Sequence, residues 1–439
     1  MAHDTFRLPL YLPAQGAAET EATIVEWRVS EGDSFAKGQV LCQVDSAKSV
    51  FDFEAPCAGR VLRLLHRDGE AVGYDQAVME VETADQAMRH WIPPAAEAGE
   101  VAAVPVMQPS RPPSHGDAVG AALLGVGGYL PSRVVTNSEL VAPFPSVSED
   151  YVYQVTGIRE RRWADNNEKP SDMAYAASIE ALTKAGLAAA DLDLIILATT
   201  TPDVAMPSTA CILQDRLQAT RAAAFDLNAA CSGWLYAVAL ARSLIVSRAA
   251  QNVLTVGVDV QSHLLDRDDQ ATCFLFGDGA GAAVISAAST GHVIREAMLG
   301  SDPRGLHLAR RSDPGYVVAN GHSNIDPWIR LDGQPLFRFA TESFAEIVRQ
   351  VIDKSGWTPE ETRWIVPHQA NGRILKAAAR RSRVPYDRFF VNVERVGNTS
   401  SASIPLALLE MEQSLRAGDK IVLCSVGAGI TTAAVSIEW

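Results

Sequence analysis

The sequence predicts a multidomain chain: a small all-β module, a proline- and alanine-rich tether, and a larger α/β domain. Three observations lead there. Before residue 84, short alternating strands such as Thr23–Trp27 and Val40–Val44 are separated by Gly-Asp and Lys-Gly turns. Between Asp85 and Gly120 come segments such as Ile92-Pro93-Pro94-Ala95-Ala96 and Pro109-Ser110-Arg111-Pro112-Pro113, which have no helical or strand periodicity. From Ala121 onward, apolar strands alternate with alanine-rich helices. The 439 residues suffice for two or three domains with separate cores.

Composition narrows the function classes. A net charge of −14 with 21% charged residues argues against bulk nucleic-acid binding, which needs a basic face. The N-terminal residues show no signal-peptide pattern, and no apolar run reaches membrane-spanning length. Cys42, Cys57, Cys211, Cys231, Cys273 and Cys424 are scattered, without metal-ligand spacing or a disulfide framework. The expectation is a reduced, cytoplasmic protein with no metal.

In the front module, Glu31-Gly32-Asp33-Ser34-Phe35-Ala36-Lys37-Gly38 precedes Asp45-Ser46-Ala47-Lys48-Ser49-Val50-Phe51-Asp52-Phe53-Glu54-Ala55-Pro56. Then come Ala58-Gly59-Arg60-Val61 and Asp68-Gly69-Glu70. This stretch, residues 6–83, resembles the lipoyl domain of 2-oxo-acid dehydrogenase complexes, a small barrel-sandwich. The resemblance implies a covalently attached cofactor on Lys48 at the tip of a β-hairpin, and a lipoate-attaching enzyme as partner. The biotin relative carries methionines on both sides of its lysine. Ala47 and Ser49 stand there, which favours lipoate. Ala47 also departs from the lipoyl family, where aspartate commonly precedes the lysine. The tether, residues 84–119, could reach about 100 Å if extended.

The chemistry of the large domain centres on Cys231, in Asp226-Leu227-Asn228-Ala229-Ala230-Cys231-Ser232-Gly233-Trp234, where a strand-like run turns into a helix start. Unpaired N–H groups and the dipole there favour a thiolate. Val366-Pro367-His368-Gln369-Ala370-Asn371 and Gly397-Asn398-Thr399-Ser400-Ser401 lie downstream. A neutral imidazole and an amide can polarise a thioester or stabilise an enolate without adding charge. With Thr156-Gly157-Ile158-Arg159-Glu160-Arg161 and Phe276-Gly277-Asp278-Gly279-Ala280-Gly281, these motifs resemble the β-ketoacyl-acyl-carrier-protein synthase III family over residues 120–439.

That resemblance implies a thiolase-like, five-layer α/β fold of two similar halves, about 120–290 and 291–439. No internal sequence repeat reveals the duplication. It also implies a catalytic set of Cys231, His368 and Asn398, with an oxyanion hole formed by the N–H groups of Cys231 and Ala428. Sister elongating synthases carry two histidines with the cysteine, and thiolases a second cysteine, so Asn398 points to synthase III. Cys231 would take up an acyl group. A malonyl thioester on acyl carrier protein would then lose carbon dioxide and attack it, giving a 3-oxoacyl product.

The departures from the family bear on the donor. At the tunnel mouth an aromatic residue and two arginines grip coenzyme A, and Tyr151, Val155 and Gln270 stand at those positions. Losing two arginines removes charge-assisted phosphate contacts of about 1.5–3 kcal/mol each. The expected donor is therefore an acyl-lipoyl arm on Lys48, loaded by a 2-oxo-acid decarboxylase, with a coenzyme A thioester as the other candidate. Met206 aligns with a residue reaching into the partner's acyl pocket in the family homodimer. Arg373, Lys376, Arg380, Arg381 and Arg383 form a basic cluster in the region where the family docks its carrier protein. Residues 1–83 hold 14 Asp and Glu against 7 Lys and Arg, and so complement it. Two alternatives remain at this point: a non-condensing acyltransferase between lipoyl, coenzyme A and an acceptor, or a carrier subunit of a dehydrogenase system.

Overall fold

The computed structural model describes residues 5–13, 21–46, 49–74, 76–85, 88, 120–288, 291–312 and 326–439. The chain forms two compact units.

The front unit contains eight strands among its described residues: β1 Phe6–Tyr11, β2 Glu21–Trp27, β3 Ser34–Phe35, β4 Val40–Asp45, β5 Val50–Glu54, β6 Gly59–Leu64, β7 Ala71–Gly73 and β8 Ala77–Thr83. They form two four-stranded sheets, ordered β1-β8-β6-β3 and β5-β4-β2-β7. Alternate residues point inward, so Leu8, Leu10, Ile24, Val44, Val61, Met79 and Val81 fill one core between the sheets. The β4–β5 hairpin closes with Asp45 opposite Val50. Its turn is tight: Ser49 O accepts from both the N–H and the hydroxyl of Ser46, each at 3.0 Å. Lys48 belongs to this connection and lies outside the described residues, as does most of the 84–119 tether.

The second unit has thirteen strands among its described residues, nine of them in one large sheet. In chain order these are β9 Ala121–Tyr129, a side hairpin of β10 Arg133–Thr136 and β11 Glu160–Trp163, then β12 Leu194–Ala198, β13 Ala223–Leu227, β14 Asn252–Asp259, β15 Gly279–Ala287 and β16 His292–Ser301. A second small hairpin, β17 Ala309–Arg310 with β18 Arg330–Leu331, precedes β19 Thr362–Pro367, β20 Lys420–Gly427 and β21 Thr431–Glu438. Among the described residues the large sheet runs β13-β12-β14-β15-β9-β16-β21-β20-β19. Its two arms match outward from the β9–β16 junction: an antiparallel neighbour, a second antiparallel pairing, then a parallel strand. The duplication that is invisible in the residues is thus visible in the topology.

The strands are apolar on both faces because both faces are covered. Leu194 and Ile196 join a central core with the helices Gly233–Val246 and Ser403–Met411 and with β20 and β21. Ile195 and Leu197 face the helices Pro170–Ala185 and Thr209–Leu217 instead. The helices Gly333–Lys354 and Gly372–Ser382 cover the outer face of the other half. Five layers result. At Gly127 a Cβ would lie 2.2 Å from Ala177 O, so only glycine lets the Pro170–Ala185 helix seat on β9. No helix among the described residues is long and apolar enough to cross a membrane.

Candidate active site

Cys231 follows β13 in a 3-10 turn, Ala230–Ser232, that leads into the buried helix Gly233–Val246. Ala230 is held at a positive φ of 48°, a strained conformation for a residue with a Cβ. The turn is fixed from the other half of the domain. Ser425 Oγ donates to Cys231 O at 3.0 Å, and Thr431 Oγ1 donates to Ala229 O at 2.9 Å. A Cβ on Gly427 would meet the N atoms of both Cys231 and Ser232 at 3.0 Å, so glycine is needed there. Ala428, next in the chain, lines the same cavity as Cys231. The Ala428 N–H has no acceptor among the described residues.

His368 lies just beyond β19, its N–H donating to Cys424 O at 2.8 Å. The side chain is buried, and its Nδ1 has no hydrogen-bond partner among the described residues. Burial alone pulls its pKa down to about 3, so the imidazole is neutral at physiological pH. Neighbouring Gln369 anchors the loop: its Oε1 accepts from the N–H groups of Asn392 and Val393, and its N–H donates to Ser403 Oγ.

Asn398 sits in the segment before the helix Ser403–Met411. Its Oδ1 accepts from Ser400 N–H at 2.9 Å, which leaves Nδ2 for the cavity. Gly397 has φ 68°, and a Cβ there would lie 2.9 Å from that of Arg161. Arg161 is fully buried and donates to Asn137 Oδ1 and Phe274 O, backing this loop. The motif around Arg161 and the Phe276-Gly277 motif are therefore scaffold for Asn398.

Cys231, His368, Asn398 and Ala428 all line one cavity of about 530 Å³. The two halves of the domain contribute together. Tyr151, Val155 and Gln270 line it as well. Tyr151 stands on the helix Glu149–Thr156, is half exposed, and has its N–H capped by Ser148 Oγ. Val155 O accepts from Asn371 Nδ2, linking this helix to the His368 loop. Met206 is 86% exposed and is not part of the lining in this chain. Arg267, the basic residue nearest in sequence to Gln270, lies over the Trp163 ring at 3.9 Å, outside the cavity wall.

The basic cluster occupies the helix Gly372–Ser382. Leu375, Ala377, Ala378 and Ala379 are buried, whereas Arg373, Lys376, Arg380 and Arg381 are exposed, as is Arg383 just beyond. No group of metal-ligating side chains occurs among the described residues. All six cysteines are free thiols.

Burial pushes the Cys231 thiol up to about 11, acting against the thiolate that a helix start favours. A contact to Ser400 Oγ at 3.6 Å opposes that rise and the Asp259 charge adds to it. Little in the sequence marks the roles of Ser400 and Asp259. Their partnerships join segments far apart in the chain, and the one local signal was an acid ending an apolar strand.

Comparison with known proteins places this geometry. Residues 225–303 match the family described as 3-oxoacyl-[acyl-carrier-protein (ACP)] synthase III, and 352–439 match its C-terminal part. Residues 9–81 match the biotin/lipoyl family, described as biotin-requiring enzyme. The chain is 39% identical over 326 residues to β-ketoacyl-[acyl-carrier-protein] synthase III of Caldanaerobacter subterraneus, covering 73% of this chain and 98% of that one. The crystal structure of the Aquifex aeolicus synthase III superposes with TM-score 0.68 at 40% identity, over 73% of this chain and all of that one. The priming β-ketosynthase of a polyketide pathway gives TM-score 0.69 at 33% identity, over 73% and 96%. The chain belongs to the β-ketoacyl-acyl-carrier-protein synthase III family, has its thiolase-like fold, and carries a biotin/lipoyl-type domain in front.

Proposed function

We propose that this synthase III forms an acyl-enzyme at Cys231 and condenses it with a malonyl thioester, with an acyl-lipoyl arm on Lys48 as the acyl donor. The observation that carries the chemistry is the convergence of Cys231, His368 and Asn398 on one cavity. Cys231 Sγ attacks the donor's thioester carbon, and the donor thiol leaves with the proton. The N–H groups of Cys231 and Ala428 hold the developing oxyanion.

In the second half-reaction His368 and Asn398 hold the thioester oxygen of malonyl-acyl carrier protein while carbon dioxide departs. A neutral imidazole suits this role, since burial keeps it uncharged. The resulting carbanion attacks the acyl carbon, the 3-oxoacyl thioester leaves, and Cys231 is reprotonated.

The donor reading rests on Val155 and Gln270 at the mouth and on the front module. The tight Ser46–Ser49 turn, beside an exposed Val50, is compatible with a modified lysine in the connection. Lipoate there supplies a thiol that carries an acyl group as a thioester. A tethered arm raises the effective concentration of its cargo. The proposed partners are acyl carrier protein, a 2-oxo-acid decarboxylase and a lipoate-attaching enzyme, with docking through Arg373, Lys376, Arg380 and Arg381. The working form is a cytoplasmic homodimer, in which Met206 meets the partner's acyl pocket. The deciding experiment follows a labelled acyl group with no coenzyme A present. It should pass from Lys48 to Cys231, then into a 3-oxoacyl product with release of carbon dioxide. Label that never reaches Cys231, or transfer without carbon dioxide release, overturns the reading.

A further inference from the structure

Among the described residues lining the cavity, Arg310 and Arg311 are the only ones with a full charge. Arg310 ends β17, paired to Arg330 in register, and Arg311 follows it directly. Both side chains are exposed. Arg311 Nη2 donates to Thr200 O at 3.1 Å, and Arg310 Nη1 donates to His307 O at 3.0 Å. These contacts hold each side chain while leaving most of its five donors unspent.

Neither arginine forms an ion pair with a described carboxylate. The acidic groups nearby are committed to Arg330 instead. Asp326 makes two hydrogen bonds to it, and Asp266 and Asp269 approach it at 2.8 and 3.5 Å. Arg310 does feel the Asp326 charge, but Arg330 takes that carboxylate's oxygens. The result is two adjacent, underused guanidinium groups on an otherwise uncharged wall that also presents Cys231.

From this we infer that Arg310 and Arg311 are an anion subsite for the phosphate of a phosphopantetheine thioester, replacing the mouth positions now held by Val155 and Gln270. The inference rests on the proposed use of a carrier-bound malonyl thioester. It assigns the phosphate grip to the second substrate, because a lipoyl arm has no phosphate to offer. One site can then take two arms of different chemistry in turn.

Protection of Cys231 from iodoacetamide tests this without requiring turnover. In the wild type, 4′-phosphopantetheine should protect at a concentration about ten-fold or more below that of pantetheine. In R310Q/R311Q that difference should vanish while pantetheine protects as before. R310K/R311K should keep most of the preference, which separates lost charge from a damaged hairpin. Repeating the assay with coenzyme A and with holo-acyl carrier protein identifies which bearer of the phosphate gains from the arginines. Equal protection by both compounds in the wild type, or a preference that survives in R310Q/R311Q, overturns the inference. Failure of the proposed function would show separately, as absent carbon dioxide release from a malonyl thioester.

Discussion

Ser401 donates twice to Oδ2 of Asp259, from its N–H at 3.0 Å and from its hydroxyl at 2.7 Å, across 142 residues of chain. The other oxygen accepts from the N–H and hydroxyl of Thr200, both at 2.8 Å. A fully buried carboxylate at the end of β14 therefore anchors the loop that presents Asn398 and Ser400. One acceptor group thus ties the Asn398 segment to the Thr200 end of the other half.

Asp259→Asn tests this anchor. An amide would set donors against the donors of Ser401 or Thr200, leaving a buried group unsatisfied at a cost of about 1–3 kcal/mol. The expected result is a lower melting temperature and a fall in condensation larger than the fall in Cys231 acylation. Equal losses in both half-reactions would mean that the anchor serves the whole domain and not the Asn398 loop.

The proposed nucleophile and its proposed partners separate the half-reactions more directly. Cys231→Ser should show no acyl-enzyme by intact mass spectrometry. Asn398→Ala should still acylate Cys231 while losing most carbon dioxide release from malonyl-acyl carrier protein. Full condensation by Cys231→Ala would exclude Cys231 as the nucleophile.

The pH behaviour follows from burial at both residues. With its thiol held at about 11, Cys231 should react with iodoacetamide at a rate that rises about ten-fold per pH unit from pH 7 to 10. His368 is depressed to about 3 in the fold, below the usual histidine value of about 6.5. The unfolded chain then takes up a proton that the folded one refuses, so this residue removes stability as pH falls from about 6.5 toward 3. Thermal melts of His368→Asn should lose less than wild type between about pH 7 and pH 5. A plateau in Cys231 alkylation near neutrality would show a ready thiolate.

Much of this site was legible because its parts are local. The strand-to-helix run places Cys231, and the strand Thr362–Pro367 ends just before His368. What was hidden depends on tertiary contacts. The Asp259–Ser401 pair spans too much chain to register as a motif. The raised Cys231 thiol reflects burial, which depends on tertiary packing. Arg310 and Arg311 belong to no motif, and only the fold puts them on the cavity wall. The duplication survives in strand order while the residues have diverged, because covered strands need only be apolar and of matching length.

The mouth predicts donor choice. With Val155 and Gln270 in place, steady-state kinetics should show weak use of free acyl-coenzyme A compared with ordinary synthase III enzymes. Val155→Arg with Gln270→Arg should raise kcat/KM for acyl-coenzyme A by about ten-fold or more, the worth of one charge-assisted phosphate contact. Efficient wild-type use of acyl-coenzyme A would remove the main reason to look for another donor.

The front module carries the most consequential test. Lys48→Arg keeps the positive charge of an unmodified lysine and cannot carry lipoate. If the two units work in series, this variant should condense normally when acyl groups are supplied at high concentration on a free carrier. It should fail when a 2-oxo acid and its decarboxylase are the only acyl source. Mass spectrometry of the wild type from its native host should find a lipoyl mass on Lys48, not a biotinyl one. Product formed from 2-oxo acid by Lys48→Arg at the wild-type rate would mean that the front module is no donor arm. The tether would then serve some other purpose, because a long proline- and alanine-rich connection raises local concentration only of what its far end carries.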